Sequence, residues 1–194
     1  RGIQMKENKY DDNIFFQKYS QMSRSQQGLA GAGEWETLRK LLPDFKDKRV
    51  LDLGCGYGWH CIYAMEHGAS SVVGVDISHK MLEVAKEKTH FPQVEYKCCA
   101  IEDVEFPEES FDVILSSLAF HYVADYEILV KKIYRILKSG GKLVFTVEHP
   151  VFTAYGTQDW HYNEKGEILH FPVDNYYYEG KRTAVFLGEK VTKS

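Results

Sequence analysis

Long apolar runs are absent from this 194-residue sequence. No stretch is long enough to cross a bilayer, and Arg1 to Lys6 lack the apolar core of a signal peptide. Cysteines are few, and the four at positions 55, 61, 98 and 99 have neither zinc-finger nor thioredoxin spacing. We therefore expect reduced thiols in a cytoplasmic protein that has no metal site and no membrane partner.

An excess of positive charge is also missing, since the formal net charge is -4. This balance argues against a nucleic-acid-binding surface. The densest basic group is Lys131, Lys132, Arg135 and Lys138, which share the polar side of a predicted helix. A solvated helix face explains that group, so we expect no nucleic-acid partner.

Strand and helix patterns alternate through the middle of the chain. Apolar strands with little polar alternation are typical of a parallel sheet covered by helices on both faces. The repeated strand–helix–strand order predicts a doubly wound α/β fold in a single domain of 194 residues. The predicted strands are Arg49–Leu53, Ser71–Asp76, Val94–Cys99, Phe111–Ser116 and Lys142–Val147, and the predicted helices are Trp59–His67, His79–Thr89 and Tyr126–Lys138.

Three glycines follow the first predicted strand at alternate positions, Gly54, Gly56 and Gly58. Glycines so placed allow a sharp strand-to-helix turn and bring backbone amides close to a ligand. The dinucleotide fingerprint G-x-G-x-x-G requires a glycine where this chain has Trp59. The G-x-G-x-G spacing therefore disfavours an NAD-dependent oxidoreductase, while a tight turn without a ligand remains the structural alternative.

From about Lys48 to His149 the sequence resembles the class I S-adenosylmethionine-dependent methyltransferases. The resemblance rests on the glycine loop, the acidic end of the second strand at Asp76, the fourth strand from Phe111, and the glycine-marked turn at Gly140 before the fifth strand. It implies a Rossmann-like parallel sheet in the order 3-2-1-4-5. It also implies S-adenosyl-L-methionine as the cofactor and methyl transfer as the reaction; a non-catalytic cofactor-binding or scaffold protein is the alternative.

The resemblance also implies a set of cofactor-binding residues. Backbone groups of the glycine loop would surround the methionine portion, and Asp52 would orient that loop or reach the cofactor's amino group. A carboxylate at Asp76 would hold the ribose hydroxyls. The expected cofactor-binding residues are Tyr19, Arg24, Asp52, Gly54, Cys55, Gly56, Asp76, Ile77, Ile101 and Ser117, although Arg24 has an exposed surface arginine as its alternative.

Two histidines are the candidates for catalytic residues. His121 follows the fourth strand, where open α/β sheets present their ligand crevice, and His149 ends the fifth strand. His121 is expected to act as a base or to position the substrate, with a capping role before the helix at Asp125 as the alternative. No compact spacing supports a metal between the two histidines.

The acceptor is expected to be a small molecule. The Asp/Asn-Pro-Pro-Tyr signature of methyltransferases that act on nucleobase or amide nitrogens is absent after the fourth strand, where the chain reads Ser116-Ser117-Leu118-Ala119. An aromatic segment at 151–194 follows the core at 48–150, and a mostly helical segment at 1–47 precedes it. We expect the first to cover the substrate and the second to cover the cofactor.

One departure from the family concerns the end of the sequence. Such methyltransferases finish their sheet with a sixth and a seventh strand, and no clear apolar run for either follows His149, although Thr183–Leu187 could form one short strand. We therefore expect a C-terminally truncated piece with fewer than seven strands, an irregular aromatic extension, and a monomeric or homodimeric state.

Overall fold

A five-stranded parallel sheet forms the centre of the computed structural model, which describes residues 6 and 8–193. Its strand order is β3-β2-β1-β4-β5, which confirms the predicted topology. The strands are β1 (Arg49–Leu53), β2 (Ser71–Asp76), β3 (Val94–Cys98), β4 (Phe111–Ser117) and β5 (Leu137–Thr146). Strand β5 begins five residues earlier than predicted, because Leu137 pairs with Phe111 ahead of a register shift.

Three crossover helices follow strands β1, β2 and β4. They are α4 (Trp59–Glu66), α5 (His79–Lys88) and α6 (Tyr126–Ile136). The side chain of Ser78 caps α5 by accepting the Met81 amide, and Asp125 caps α6 by accepting the Ile128 amide. These caps fix the points at which the chain leaves the carboxyl edge of the sheet.

The hydrophobic core lies on both faces of the sheet. Leu51 and Leu53 of β1 pack in one cluster with Leu129 and Ile133 of α6. Val50, one residue out of phase, packs in a second cluster that includes residues of α4. Because successive strand residues point to opposite faces, this division explains why the central strands read as continuous apolar runs.

The N-terminal segment is mostly helical, as predicted. It contains α1 (Asn13–Ser20), α2 (Ser23–Gln26) and α3 (Trp35–Leu41), together with short 3-10 turns at Lys9–Asp11 and Gly28–Gly31. Asp12 caps α1 by accepting the amides of Ile14 and Phe15. The described part of this segment therefore supplies three helices that precede the sheet.

The C-terminal segment is more regular than the sequence predicts. It contains two antiparallel pairs, β6 (His161–Tyr162) with β7 (Ile168–His170), and β8 (Arg182–Phe186) with β9 (Glu189–Lys193). Leu187 and Gly188 both have positive φ, 54° and 81°, which suits a two-residue hairpin turn between β8 and β9. Neither pair joins the central sheet, so the sheet has fewer than seven strands in the part of the chain that the structure describes.

The hairpin β8–β9 packs against the N-terminal segment. Ala184 and Val191 form a small buried cluster with Phe15 of α1. The Phe15 and Phe186 rings meet edge to face at 5.8 Å, and Lys18 Nζ donates a 2.9 Å hydrogen bond to the Leu187 carbonyl. Apolar burial between the two ends of the chain, which the sequence pattern does not predict, holds this hairpin in place.

Asp52 is an ionisable residue buried in the core. Its side chain is 1% exposed, one carboxyl oxygen contacts Cys61 Sγ at 3.5 Å, and the other has no hydrogen-bond partner among the described residues. Burial raises the pKa of Asp52 to about 7. The folded chain therefore holds a proton on Asp52 at pH values where the unfolded chain has released it.

We expect Asp52→Asn to stabilise the fold increasingly as pH rises from about 4 to about 7. The wild-type chain loses stability across that window because the buried carboxyl must ionise, whereas the amide stays neutral. One pKa unit corresponds to about 1.4 kcal/mol, so the gain at pH 8 is on the order of a few kcal/mol. Thermal unfolding of both proteins at several pH values measures it.

Asp112→Asn is the matched control for this experiment. Despite partial burial, hydrogen bonds from the Arg49 amide and Lys138 lower the pKa of Asp112. Its charge therefore stabilises the fold at neutral pH, and that stabilisation is lost as pH falls through the lowered pKa, so the control variant should lose stability at pH 8. If Asp52→Asn instead lowers the melting temperature equally at pH 5 and pH 8, desolvation of the Asp52 charge is not its dominant effect.

Candidate functional site

The three glycines of the loop between β1 and α4 share a left-handed backbone conformation but differ in their surroundings. Gly54, Gly56 and Gly58 have φ values of 80°, 51° and 75°. A Cβ on Gly54 would lie 2.4 Å from the Ala119 Cβ, and one on Gly58 would lie 2.2 Å from the Tyr96 hydroxyl. A Cβ on Gly56 would meet nothing within 4 Å, so Gly56 faces open space and not protein packing.

Asp76 joins this loop to the end of β2. Its Oδ2 accepts the Gly56 amide at 2.9 Å, and its Oδ1 accepts the Ser78 amide at 2.9 Å. Burial raises the pKa of Asp76, and the hydrogen bonds from Ser78 and Gly56 oppose the rise. The two oxygens of a carboxylate have about four acceptor sites in total, so Asp76 keeps acceptor capacity for a ligand.

A cavity of about 430 Å³ lies above the carboxyl ends of the strands. Open α/β sheets bind ligands at this edge. Nine residues predicted from the sequence line it together: Tyr19, Arg24, Gly54, Gly56, Asp76, Ile77, Ile101, Ser117 and His121. They come from the N-terminal segment and from the ends of β1, β2, β3 and β4, so only the folded sheet brings them to one place.

Three predicted site residues do not line the cavity. Asp52 lies in the core below the loop, as described above. The side chain of Cys55 is 6% exposed and packs in the second core cluster, the one that includes residues of α4. The Cys55 amide already donates to the Val75 carbonyl at 2.9 Å. His149 caps a short 3-10 helix, where its Nδ1 accepts the Val151 amide at 3.3 Å.

A polar group that includes Arg24 lies at the β4 end of the cavity. Arg24 forms an ion pair with Glu34, and both side chains are about one-fifth exposed, at 22% and 23%. Ser117 Oγ donates to Glu34 Oε1 at 3.2 Å and lies at the same distance from Thr146 Oγ1. Glu34, which is the N-cap residue of α3, was not singled out from the sequence.

Asp11 is a second residue that the sequence did not single out. Its Oδ1 accepts from Ser78 Oγ at 2.6 Å and from the Lys80 amide at 3.2 Å. These hydrogen bonds lower the pKa of Asp11 in spite of the opposing effect of partial burial. Asp11 therefore ties the N-terminal segment to the start of α5 beside Asp76, a location that favours a carboxylate.

His121 lies in the wall of the cavity, after β4. Its Nδ1 accepts the Glu148 amide at 3.3 Å. Burial lowers the pKa of His121 to about 4, an effect that Lys193 strengthens and Glu148 opposes. At neutral pH the ring is therefore uncharged, and since Nδ1 is an acceptor, Nε2 carries the proton. In this tautomer Nε2 is a hydrogen-bond donor and not a base.

A partly buried ion pair lies beside His121. Lys193, which is 5% exposed, lies 2.7 Å from both carboxyl oxygens of Glu148. Its ammonium is 5.8 Å from the ring centres of Tyr122 and Phe186. The pair attaches the hairpin β8–β9 to the chain just after β5, and its 45-residue separation left no signal in the sequence.

A second cavity of about 330 Å³ adjoins the first. Both cavities are lined by His121, Glu148 and Lys193, which therefore stand between them. Tyr176, Tyr177 and Tyr178 line the second cavity, and Arg182 donates to the carbonyls of Pro150, Tyr176 and Tyr178, which holds that tyrosine segment in position.

Neither a metal-binding cluster nor a membrane-spanning helix is present in the described part of the chain. Residues 6 and 8–193 contain no group of three or more His, Cys, Asp or Glu side chains that could hold a metal ion. Over the same residues, no helix is both long and apolar enough to cross a membrane.

Comparisons with known proteins identify the family. Residues 51–145 match the model described as a methyltransferase domain. A Listeria monocytogenes protein assigned as an S-adenosylmethionine-dependent methyltransferase is 56% identical with a TM-score of 0.77, and the match covers 83% of this chain and 76% of that one. The chain belongs to the class I S-adenosylmethionine-dependent methyltransferases. The comparisons thus confirm the predicted family, enzyme class and cofactor.

Two other methyltransferases show how similarity is distributed along the chain. An S-adenosylmethionine-dependent methyltransferase from Mesorhizobium loti is 41% identical with a TM-score of 0.73, over 80% of this chain and 70% of that one. A ubiquinone biosynthesis O-methyltransferase from Coxiella burnetii is 36% identical over 112 residues, which are 57% of this chain and 47% of that protein. The match to this second relative therefore spans about half of its length.

The first cavity of this methyltransferase fits S-adenosylmethionine. Its volume lies in the usual range for small-molecule pockets, roughly 300–1,000 Å³. The open space above Gly56 and the unused acceptor capacity of Asp76 are features that a ligand with ribose hydroxyls would use. The bound cofactor supplies an activated methyl group on a sulfonium centre.

We expect Gly56→Ala and Gly58→Ala to separate binding from folding. The added methyl at Gly56 would point into the cavity and lower affinity for S-adenosylhomocysteine about tenfold or more, with a modest strain of about 1–2 kcal/mol from its positive φ. The methyl at Gly58 would clash with Tyr96 and lower the melting temperature more strongly. Calorimetric titration and thermal unfolding measure both. Equal losses of affinity in both variants at equal stability would contradict this division.

Proposed function

We propose that this methyltransferase transfers the methyl group of S-adenosylmethionine to a small-molecule acceptor held in the second cavity. The observation that carries the proposal is that the two cavities share the wall formed by His121, Glu148 and Lys193. In-line methyl transfer requires the acceptor atom, the methyl carbon and the sulfur to be aligned at close range. Adjoining cavities with one common wall are suited to that alignment.

The cofactor is proposed to lie along the carboxyl edge of the sheet. Asp76 would accept the ribose hydroxyls, while Ile77 and Ile101 would pack on the adenine ring. Gly54 and Gly56 would border the sulfur and methionine portion, with Asp52 and Cys55 supporting the loop from below. Tyr19, Arg24 and Ser117 would close the methionine end, since they line the cavity on the side of α2 and β4.

We assign to His121 the role of positioning the acceptor. Its neutral ring presents Nε2–H as a donor, so it suits an acceptor that offers an oxygen or nitrogen lone pair at that point. Methyl transfer has an excellent leaving group, which makes orientation and exclusion of water the main tasks of the protein. His149 is not assigned this role, because its Nδ1 is used as a helix cap outside both cavities.

Size and composition support a small acceptor. The second cavity, at about 330 Å³, is at the lower end of the range for small-molecule pockets. Three tyrosines supply apolar ring surface with polar edges, a composition suited to a compact organic molecule. The Coxiella burnetii relative is named for ubiquinone biosynthesis, which agrees with an acceptor of this kind.

Transfer of a labelled methyl group tests the size class of the acceptor. We expect incubation with radiolabelled S-adenosylmethionine and a cell extract to place enzyme-dependent label in the low-mass fraction. Asp76→Ala is the control, because loss of charged hydrogen bonds worth about 1.5–3 kcal/mol should weaken cofactor binding. Label recovered in protein or RNA would refute the small-molecule proposal and leave the cofactor assignment intact.

We expect His121→Ala to lower turnover at least tenfold and to change S-adenosylhomocysteine affinity less than twofold. Because the pKa of His121 is about 4, the wild-type rate should show no inflection near pH 6.5 from this residue. Steady-state kinetics with the labelled acceptor measure both effects. His90→Ala, at an exposed histidine outside both cavities, is the control. A joint fall in cofactor affinity and melting temperature would assign His121 a structural role instead.

A further inference from the structure

The ion pair between Arg24 and Glu34 has unused hydrogen-bonding capacity. Arg24 contacts Glu34 through Nη2 alone, and Glu34 uses Oε1 for both Arg24 and Ser117. Within residues 8–193, Arg24 Nη1 and Glu34 Oε2 have no hydrogen-bond partner. Glu34 is the N-cap residue of α3, yet its side chain makes no capping hydrogen bond. The Glu34 carboxylate therefore contacts residues that line the cavity and does not cap α3.

The pair lies at the opposite end of the cavity from Asp76. Ser117 ends β4, and Asp76 ends β2, with β1 and its glycine loop between them in the sheet. Glu34 contacts Ser117 Oγ at 3.2 Å, which places its carboxylate at the β4 end. A cofactor with its ribose at Asp76 and its sulfur over the glycine loop therefore extends its amino-acid end toward Arg24 and Glu34.

We propose that Arg24 and Glu34 together bind the zwitterionic α-amino-acid group of the cofactor, with Glu34 accepting from its ammonium and Arg24 donating to its carboxylate. An α-amino acid carries opposite charges two bonds from each other, and the ion pair presents opposite charges at a similar separation. When the charge pair of the ligand lies antiparallel to that of the protein, the ligand's ammonium meets Glu34 and its carboxylate meets Arg24. This inference rests on the cofactor placement in the proposed function.

The surroundings of the pair favour this role. His60 lies near both residues, and desolvation lowers its pKa to about 4, so it stays neutral and does not compete for either charge. The other acid–base pair at the cavity, Glu148 with Lys193, has both carboxyl oxygens at 2.7 Å from one almost fully buried ammonium. Both Glu148 oxygens are thus already bonded to Lys193. Arg24 and Glu34 are therefore the better site for the amino-acid end of the cofactor.

Binding measurements with ligands that differ only at the amino-acid end test the inference. The ligands are S-adenosylhomocysteine, its analogue without the amino group, and 5′-methylthioadenosine, which lacks the amino-acid end. We expect Glu34→Gln to weaken S-adenosylhomocysteine about tenfold or more and to leave the affinities of the other two within about twofold. Glu36→Gln, whose side chain is 72% exposed and pairs with Arg39, is the matched control and should change none.

The alternative outcomes overturn the inference in distinguishable ways. If Glu34→Gln weakens all three ligands equally, Glu34 supports the cavity and does not contact the ammonium. If it strengthens S-adenosylhomocysteine, Glu34 competes with the ligand's carboxylate for Arg24. An unchanged affinity for all three removes Glu34 from the site. If Asp76→Ala also leaves the affinity for 5′-methylthioadenosine unchanged, the proposed cofactor placement itself is wrong.

Discussion

The carboxylate of Asp76 is the contact on which the rest of the site depends. It accepts one amide from the glycine loop after β1 and one from the start of α5, so it fixes both elements relative to the end of β2. Ser78, whose amide is one of these donors, also bonds to Asp11 and thereby brings in the N-terminal segment. One partly buried side chain thus helps to determine the shape of the loop, the start of α5 and the position of the N-terminal segment.

Both ends of the described chain contribute residues that line the cavity, among them Tyr19 from one end and Phe186 and Lys193 from the other. Phe15 and Phe186 pack against each other. The Lys193–Glu148 pair attaches β9 to the residues that follow β5. The Lys193 side chain is 5% exposed and that of Glu148 is 30% exposed, so removing Glu148 would leave an almost fully buried ammonium unpaired, which is costly. The pair therefore holds the wall between the two cavities more firmly than the surface ion pairs of α6 could.

The charged groups of the site are arranged by the part of the ligand that each would meet. Asp76 faces the proposed ribose position, Arg24 and Glu34 stand at the proposed methionine end, and the neutral His121 borders the proposed acceptor cavity. No free charge is needed where the methyl group moves, which agrees with a reaction whose leaving group is already activated. Burial keeps His121 neutral, and the charges of Glu148 and Lys193 cancel in their ion pair. The wall between the two cavities therefore has a low net charge.

The sequence by itself determined the strands, the glycine loop and Asp76, because apolar runs, glycine spacing and strand ends are local features of the chain. The strand order was expected only from the family resemblance. The observed bounds of β1 and β2 equal the predicted ones for that reason. Tertiary structure alone decided that Asp52 and Cys55 lie below the cavity, and that His121 is neutral with its Nδ1 occupied. It also decided the partners of Glu34, Asp11 and Lys193, since a pKa depends on burial and a contact between residues far apart in sequence forms only when the chain is folded.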